Sequence, residues 1–251
     1  SFTPVAPLSA GLIYWRVQPL APGELEGPFT APWNLMIATD ASEPATSWGL
    51  VPDIDMDGSA DLAIGACGLG DTCSQESWIY HGPVSPGEEP DQILSGAATT
   101  LFGYATSLVG DLNGDGRADL AIGSWLTYNI WVYLSQEDGS YSDYTMLEAS
   151  PGLFPMFGHD VAPAGDINQD GYADLITGDP IQSAGYIYFG GPSGVSPDNS
   201  LTLYAGTGGG ITVIGGCDIN GDGRDDAFVG GPPSLAVFAT PDSSEASQIL
   251  E

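Results

Sequence analysis

Asp53-Ile-Asp-Met-Asp-Gly-Ser-Ala-Asp61 is the first of four copies of one acidic stretch. The others are Asp111-Leu-Asn-Gly-Asp-Gly-Arg-Ala-Asp119, Asp166-Ile-Asn-Gln-Asp-Gly-Tyr-Ala-Asp174 and Asp218-Ile-Asn-Gly-Asp-Gly-Arg-Asp-Asp226. Their first aspartates are 58, 55 and 52 residues apart. A period of this size marks a repeated supersecondary unit. Oxygens at alternate positions of a curling loop suit a hard cation that takes six to eight oxygen ligands, so each copy is expected to hold one Ca²⁺, four in all. Positions one, three, five and nine supply the side chains. They are Asp53, Asp55, Asp57 and Asp61; Asp111, Asn113, Asp115 and Asp119; Asp166, Asn168, Asp170 and Asp174; Asp218, Asn220, Asp222 and Asp226. Position seven (Ser59, Arg117, Tyr172, Arg224) is expected to offer its backbone carbonyl. The glycine at position six permits a left-handed turn that a Cβ opposes.

The flanks of each copy repeat as well. An alternating apolar stretch enters the loop, as in Tyr104-Ala-Thr-Ser-Leu-Val-Gly110, and a second strand leaves it, as in Asp119-Leu-Ala-Ile-Gly123. A third, aromatic and β-branched strand follows (Trp78–Tyr80, Ile130–Tyr133, Tyr186–Phe189, Leu235–Phe238). A fourth closes the unit (Gln92–Leu94, Tyr144–Leu147, Leu201–Tyr204, Gln248–Leu250). Four short strands joined by turn residues predict an antiparallel meander. A single such sheet cannot bury both faces, and radial stacking of several gives a β-propeller.

This pattern resembles the FG-GAP repeat of integrin α-subunit propellers. Phe102-Gly103 and Phe157-Gly158 stand at the FG place; Gly-Asp-Pro at 178–180 and Gly-Gly-Pro at 230–232 stand at the GAP place. The first unit has Pro44-Ala45 and the fourth Gly209-Gly210 where FG is expected. The resemblance covers residues 43–251 and implies an all-β propeller; the blade count is read from the repeats themselves, taken as one domain over 1–251. It would have four full four-stranded blades (43–97, 98–150, 151–205, 206–251) and a partial fifth N-terminal blade (1–42). In that partial blade, Leu12–Trp15 and Leu35–Ile37 resemble strands three and four.

Acidic residues number 33 against three arginines and no lysine, a formal net charge of −30. Four divalent cations neutralise only part of it. Such a surface excludes nucleic acid and disfavours anionic membranes. No apolar run is long enough to span a bilayer, so membrane insertion is not expected. The chain starts at Ser1, which reads as a processed or trimmed form. Cys67 and Cys73 flank a short Gly-rich loop, either as a small disulfide or as two free thiols; Cys217 then has no partner. Calcium loops and a local bridge together favour an extracellular or cell-surface location.

No nucleophile elbow, zinc-binding helix, phosphate loop or dinucleotide fingerprint occurs, and no enzymatic activity is expected. His81 and His159 read as structural histidines. In a meander of this order the calcium loops share one end of the sheets. The opposite end carries Trp125, Tyr128, Phe154 and Met156, either as anchors for a ligand or as caps on the blade cores. The expected function is a secreted calcium-binding recognition module for an extracellular protein or glycan. The alternatives are a sugar-specific lectin propeller or a non-catalytic accessory domain of a larger enzyme. Self-association that completes the propeller is a further expectation.

Overall fold

The computed structural model describes residues 11–15, 20–21, 25–26, 33–37, 52–66, 74–98, 100–149, 156–206, 209–221, 223–232, 234–238 and 248–250. The chain divides into two units, Ser1–Ala45 and Thr46–Glu251. In the first, β1 (Gly11–Trp15) pairs antiparallel with β4 (Trp33–Ile37), and β2 (Leu20–Ala21) pairs with β3 (Leu25–Glu26).

The second unit is a series of antiparallel meanders. β5 (Leu62–Gly65), β6 (Glu76–Tyr80) and β7 (Gln92–Ser95) form a three-stranded sheet. Three four-stranded sheets follow. The second-repeat sheet is β8 (Ala105–Gly110), β9 (Asp119–Ser124), β10 (Asn129–Tyr133) and β11 (Tyr144–Glu148). The third-repeat sheet is β12 (Asp160–Gly165), β13 (Asp174–Asp179), β14 (Ala184–Tyr188) and β15 (Ser200–Tyr204). The fourth-repeat sheet is β16 (Thr212–Cys217), β17 (Asp226–Gly231), β18 (Ser234–Phe238) and β19 (Gln248–Leu250). The described residues are thus all-β, and each four-stranded sheet has the sequential strand order expected of a propeller blade. The first repeat departs from four strands: three are paired among the described residues, and most of the stretch ahead of Asp53 lies outside them. Among the described residues no helix is long and apolar enough to cross a membrane.

Packing between sheets follows the two-residue period of a strand. Leu120 and Ile122 of β9 join Ile54, Ile79 and Phe102 in one core cluster, while Ala121 between them joins Ile130, Val132, Leu175 and Phe157 in the next. In β13, Leu175 belongs to that second cluster and Ile176 to a third, with Val213, Val229 and Phe238. β9 and β13 are buried along their whole length, because both of their faces are covered. That is why their sequences lack the apolar–polar alternation of a strand with one wet face.

The phenylalanine of each FG pair has a definite role. Phe102 meets Trp131 edge-on at 5.1 Å, and Phe157 meets Tyr186 edge-on at 5.6 Å. In the fourth repeat Gly209 replaces the phenylalanine. Ala236, which pairs with Val229 as Trp131 pairs with Ile122, replaces the ring it would meet. The aromatic pair is lost as a unit.

Candidate metal centres and the opposite loops

The acidic loops join the first and second strands of the four-stranded sheets. β8, β12 and β16 each break register just before the loop, between Leu108 and Gly110, Pro163 and Gly165, and Ile214 and Cys217. A bulge of this kind bends a strand locally, here on entry to the loop.

Within the loops, position nine acts as a clamp. One carboxylate oxygen of Asp119 accepts the N–H of Leu112 at 2.8 Å, and the other accepts the N–H of Ser135 at 2.9 Å. Asp174 does the same with Ile167 (2.9 Å) and Gly190 (2.9 Å). Asp61 accepts from Ile54 and from Gly82, and Asp226 from Ile219 at 2.8 Å. The loop is thereby tied to the end of the third strand. Burial pushes the Asp119 carboxyl up to about 8 and that of Asp174 up to about 7, against the lowering effect of these N–H bonds. Burial raises Asp61 as well.

Position one gathers the turn. Asp111 Oδ1 accepts the N–H groups of Gly114 and Asp115, and its Oδ2 accepts that of Gly116 at 2.7 Å. Asp166 accepts from Asp170 and Gly171, and Asp218 from Gly221 and Gly223. Asn113 and Asn168 at position three use Oδ1 to accept the N–H of position five, at 3.0 Å in both loops. Asp57, Asp115 and Asp170 at position five accept the N–H of Ser59, Arg117 and Tyr172. The Arg117 guanidinium lies over its own loop, 3.9 Å from Asp115. Asn220 and Arg224 lie in the fourth loop, and Asp222 lies outside the described residues.

The first loop differs at its opening carboxylate as well as at position three. Asp53 Oδ2 accepts the N–H of Gly58 at 3.0 Å, but Asp53 Oδ1 is buried with no hydrogen-bond partner. Ligand oxygens of Asp53, Asp55 and Asp61 lie within 4.8 Å of one another. Three carboxylates this close repel, and a buried acceptor without a donor is costly. A divalent cation relieves both, and the all-oxygen donor set is the chemistry calcium takes. The residues therefore fit such a cation, which Asp53, Asp55 and Asp61 would hold. In the other loops the amide oxygen of asparagine stands at position three in place of a carboxylate.

Three features of this region escape a reading of the sequence. The loops are linked to each other: Ala118 N–H donates to the Asp53 carbonyl at 2.9 Å, and Ala173 N–H to the Asp111 carbonyl at 2.8 Å. In the fourth loop Asp225 occupies the corresponding position, and its side chain instead accepts the N–H of Asp166 at 2.9 Å. His81 stands beside the first loop, with Nδ1 3.6 Å from Asp55 and Nε2 3.2 Å from the Gly139 carbonyl.

At the other end of the sheets, Trp125 and Tyr128 lie half-buried in the β9–β10 connection. Trp125 stands edge-on to Tyr104 at 6.0 Å, and Tyr104 is tilted against His159 at 5.4 Å. These rings pack on one another and only partly face solvent. Met156 is half-buried, and its N–H donates to Asp179 at 2.9 Å. Phe154, Cys67 and Cys73 lie outside the described residues, as does any bridge between the two cysteines. Cys217 is a free thiol at the end of β16.

Residues 111–177 match the FG-GAP-like repeat family. The chain is 35% identical over 164 residues to integrin alpha-7 of Rattus norvegicus, a match covering 59% of this chain and 14% of that protein. It is 33% identical to integrin alpha-7 of Homo sapiens over 164 residues, with the same coverage. It is 32% identical over 163 residues to integrin alpha-IIb of Mus musculus, covering 55% of this chain and 16% of that protein. The chain thus spans well under two thirds of the length of these relatives.

Proposed function

We propose, on the premise that this chain carries an FG-GAP, integrin α-like repeat domain, that it is a calcium-stabilised, extracellular recognition module without enzymatic activity. The full reading is a propeller of four blades over 43–251 and a partial fifth over 1–42, holding four Ca²⁺. The side chains at positions one, three, five and nine and the carbonyls at position seven are its ligands. The observation that carries it is the shared frame of the loops. The position-nine carboxylate takes the N–H of position two in all four, and Asp53 keeps one buried oxygen open. A frame held alike in every repeat is a scaffold. Specificity then belongs to the connections at the other end, which differ from repeat to repeat.

The test is binding of the purified chain to immobilised extracellular matrix proteins and to a glycan array, with calcium and with chelator. Saturable binding to a protein that is lost on chelation supports the reading. Binding confined to glycans makes the chain a lectin. Absence of any saturable ligand on either surface overturns the recognition role.

A further inference from the structure

The chain contains two Asn-Gly steps, Asn113-Gly114 and Asn220-Gly221, and both stand at positions three and four of an acidic loop. The third loop has Asn168-Gln169 at the same place, and the first has Asp55-Met56. An asparagine followed by glycine is open to a reaction that bulkier pairs resist. The glycine nitrogen attacks the side-chain Cγ, with no Cβ of its own to obstruct the approach. An N–Cγ bond forms, the Cγ–NH₂ bond breaks, and ammonia leaves with the proton that the nitrogen gives up. Water then opens the cyclic imide at either carbonyl, to aspartate or to isoaspartate.

The folded loop opposes this reaction. The N–H of Gly114 donates to Asp111 Oδ1 at 2.6 Å, and the N–H of Gly221 donates to Asp218 Oδ1 at 2.6 Å. Asn113 Oδ1 accepts the N–H of Asp115 at 3.0 Å. The attacking nitrogen is thus engaged by position one, and in the second loop the amide it must reach is engaged by position five. Ring closure requires that frame to open. The two loops differ in their support. Asn113 is half-buried, a Cβ on Gly114 would fall 2.9 Å from the Tyr172 ring of the next loop, and the Asp111 carbonyl is held by the N–H of Ala173. Asn220 and Gly221 are exposed, and among the described residues nothing lies within 4 Å of the place a Cβ on Gly221 would occupy.

We propose that Asn220-Gly221 is a site of spontaneous deamidation gated by calcium, with Asn113-Gly114 a slower second site. A cation held by the loop favours the closed frame, because binding to one state alone stabilises that state. Its removal lets the glycine nitrogen leave its carboxylate partner. The aspartate product gives position three the residue that the first loop already has, Asp55. The isoaspartate product adds a methylene to the backbone between positions three and four. That breaks the alternation of oxygens on which an all-oxygen loop depends. A loop left long without metal therefore loses part of its capacity to take it back. The inference rests on the calcium-binding reading above and adds a covalent consequence of losing the metal.

The experiment is incubation of the full chain at mildly alkaline pH, below the melting temperature of the chelated chain, in saturating calcium and in chelator. Samples are digested with pepsin, whose low pH halts the reaction, and mapped by mass spectrometry. Asn220 should gain the mass of deamidation about fivefold or more faster in chelator than in calcium, the factor one net hydrogen bond is worth. Asn113 should follow more slowly, and Asn168 should stay intact in both. No mass gain at Asn220 in chelator, equal rates at Asn220 in the two conditions, Asn113 ahead of Asn220, or Asn168 keeping pace overturns the proposal. The aged chain should then bind less calcium than the Asn220→Asp variant; equal binding overturns the loss of capacity. Metal analysis of the dialysed chain separates the two readings. A chain that holds calcium and deamidates at one rate throughout keeps the metal and loses the gate, and a chain that holds no calcium loses both.

Discussion

Gly171 sits at φ +91° with nothing within 4 Å of the place a Cβ would occupy. Space is therefore no reason for glycine there, and backbone conformation is the whole reason. Gly171→Ala is expected to lower stability by about 1–2 kcal/mol, the cost of the left-handed region for a residue with a Cβ. Urea denaturation in saturating calcium measures it. Met56, at φ 63° in position four of the first loop, is the opposite case. Its side chain is 51% exposed, so Met56→Gly should cost nothing measurable in the same assay. A destabilised Met56→Gly would show that the thioether packs usefully. The glycine at position six was legible because all four repeats keep it. The second left-handed residue, at position four, was not, because Met56 and Gln169 stand there in two loops and mask the requirement. Asp225 was illegible for a similar reason. It reads as one more acidic residue in an acidic loop, and only the fold brings it to the N–H of Asp166.

Between neighbouring sheets, the two glycine motifs turn out to be one contact. A Cβ on Gly65, Gly123 or Gly178, at or near the end of the second strand, would collide with the carbonyl oxygen of Gly103, Gly158 or Gly210 in the next repeat. Gly123 has an ordinary strand backbone, so alanine suits its own conformation and the full cost comes from forcing two sheets apart. Gly123→Ala should destabilise by about 1–3 kcal/mol, the usual penalty of overpacking. An unchanged denaturation midpoint would mean that the sheets can slide without loss. Gly209-Gly210 keeps the close approach through Gly210 while giving up the ring, which explains how the fourth repeat departs from the motif and still packs. Most strands were legible from sequence, since aromatic and β-branched runs between turn residues leave few other choices. Trp125 was harder: an aromatic residue in a connection reads equally as an anchor or a cap, and its edge-on contact with Tyr104 needs two strands brought together in space.

For the molecule as a whole, calcium should govern stability. A cation bound only by the native state adds to its stability through mass action at every site. Chelation is expected to lower the melting temperature by about 10 °C or more. A melting curve unchanged in excess chelator would remove the metal from the fold's energetics. The effect should depend on pH. Burial raises Asp119 to about 8 and Asp174 to about 7, from 3.8. In the metal-free chain a raised carboxyl contributes stability that is complete below its ordinary value and is lost as pH climbs through 7 to 8. Metal binding needs the ionised form and gains over the same window. The gap between calcium-loaded and chelated melting temperatures should therefore widen from pH 5 to pH 8, and a constant gap would contradict the role of these two carboxyls. The links between loops carry a different consequence, for how such a chain can be cut and lengthened. A piece ending at residue 150 would contain every residue of the Asp111–Asp119 loop and still lose part of its frame, because the N–H that holds the Asp111 carbonyl belongs to Ala173. The segment that is copied along the chain and the segment that folds are offset from each other, so a duplication becomes useful only once its neighbour has accepted it.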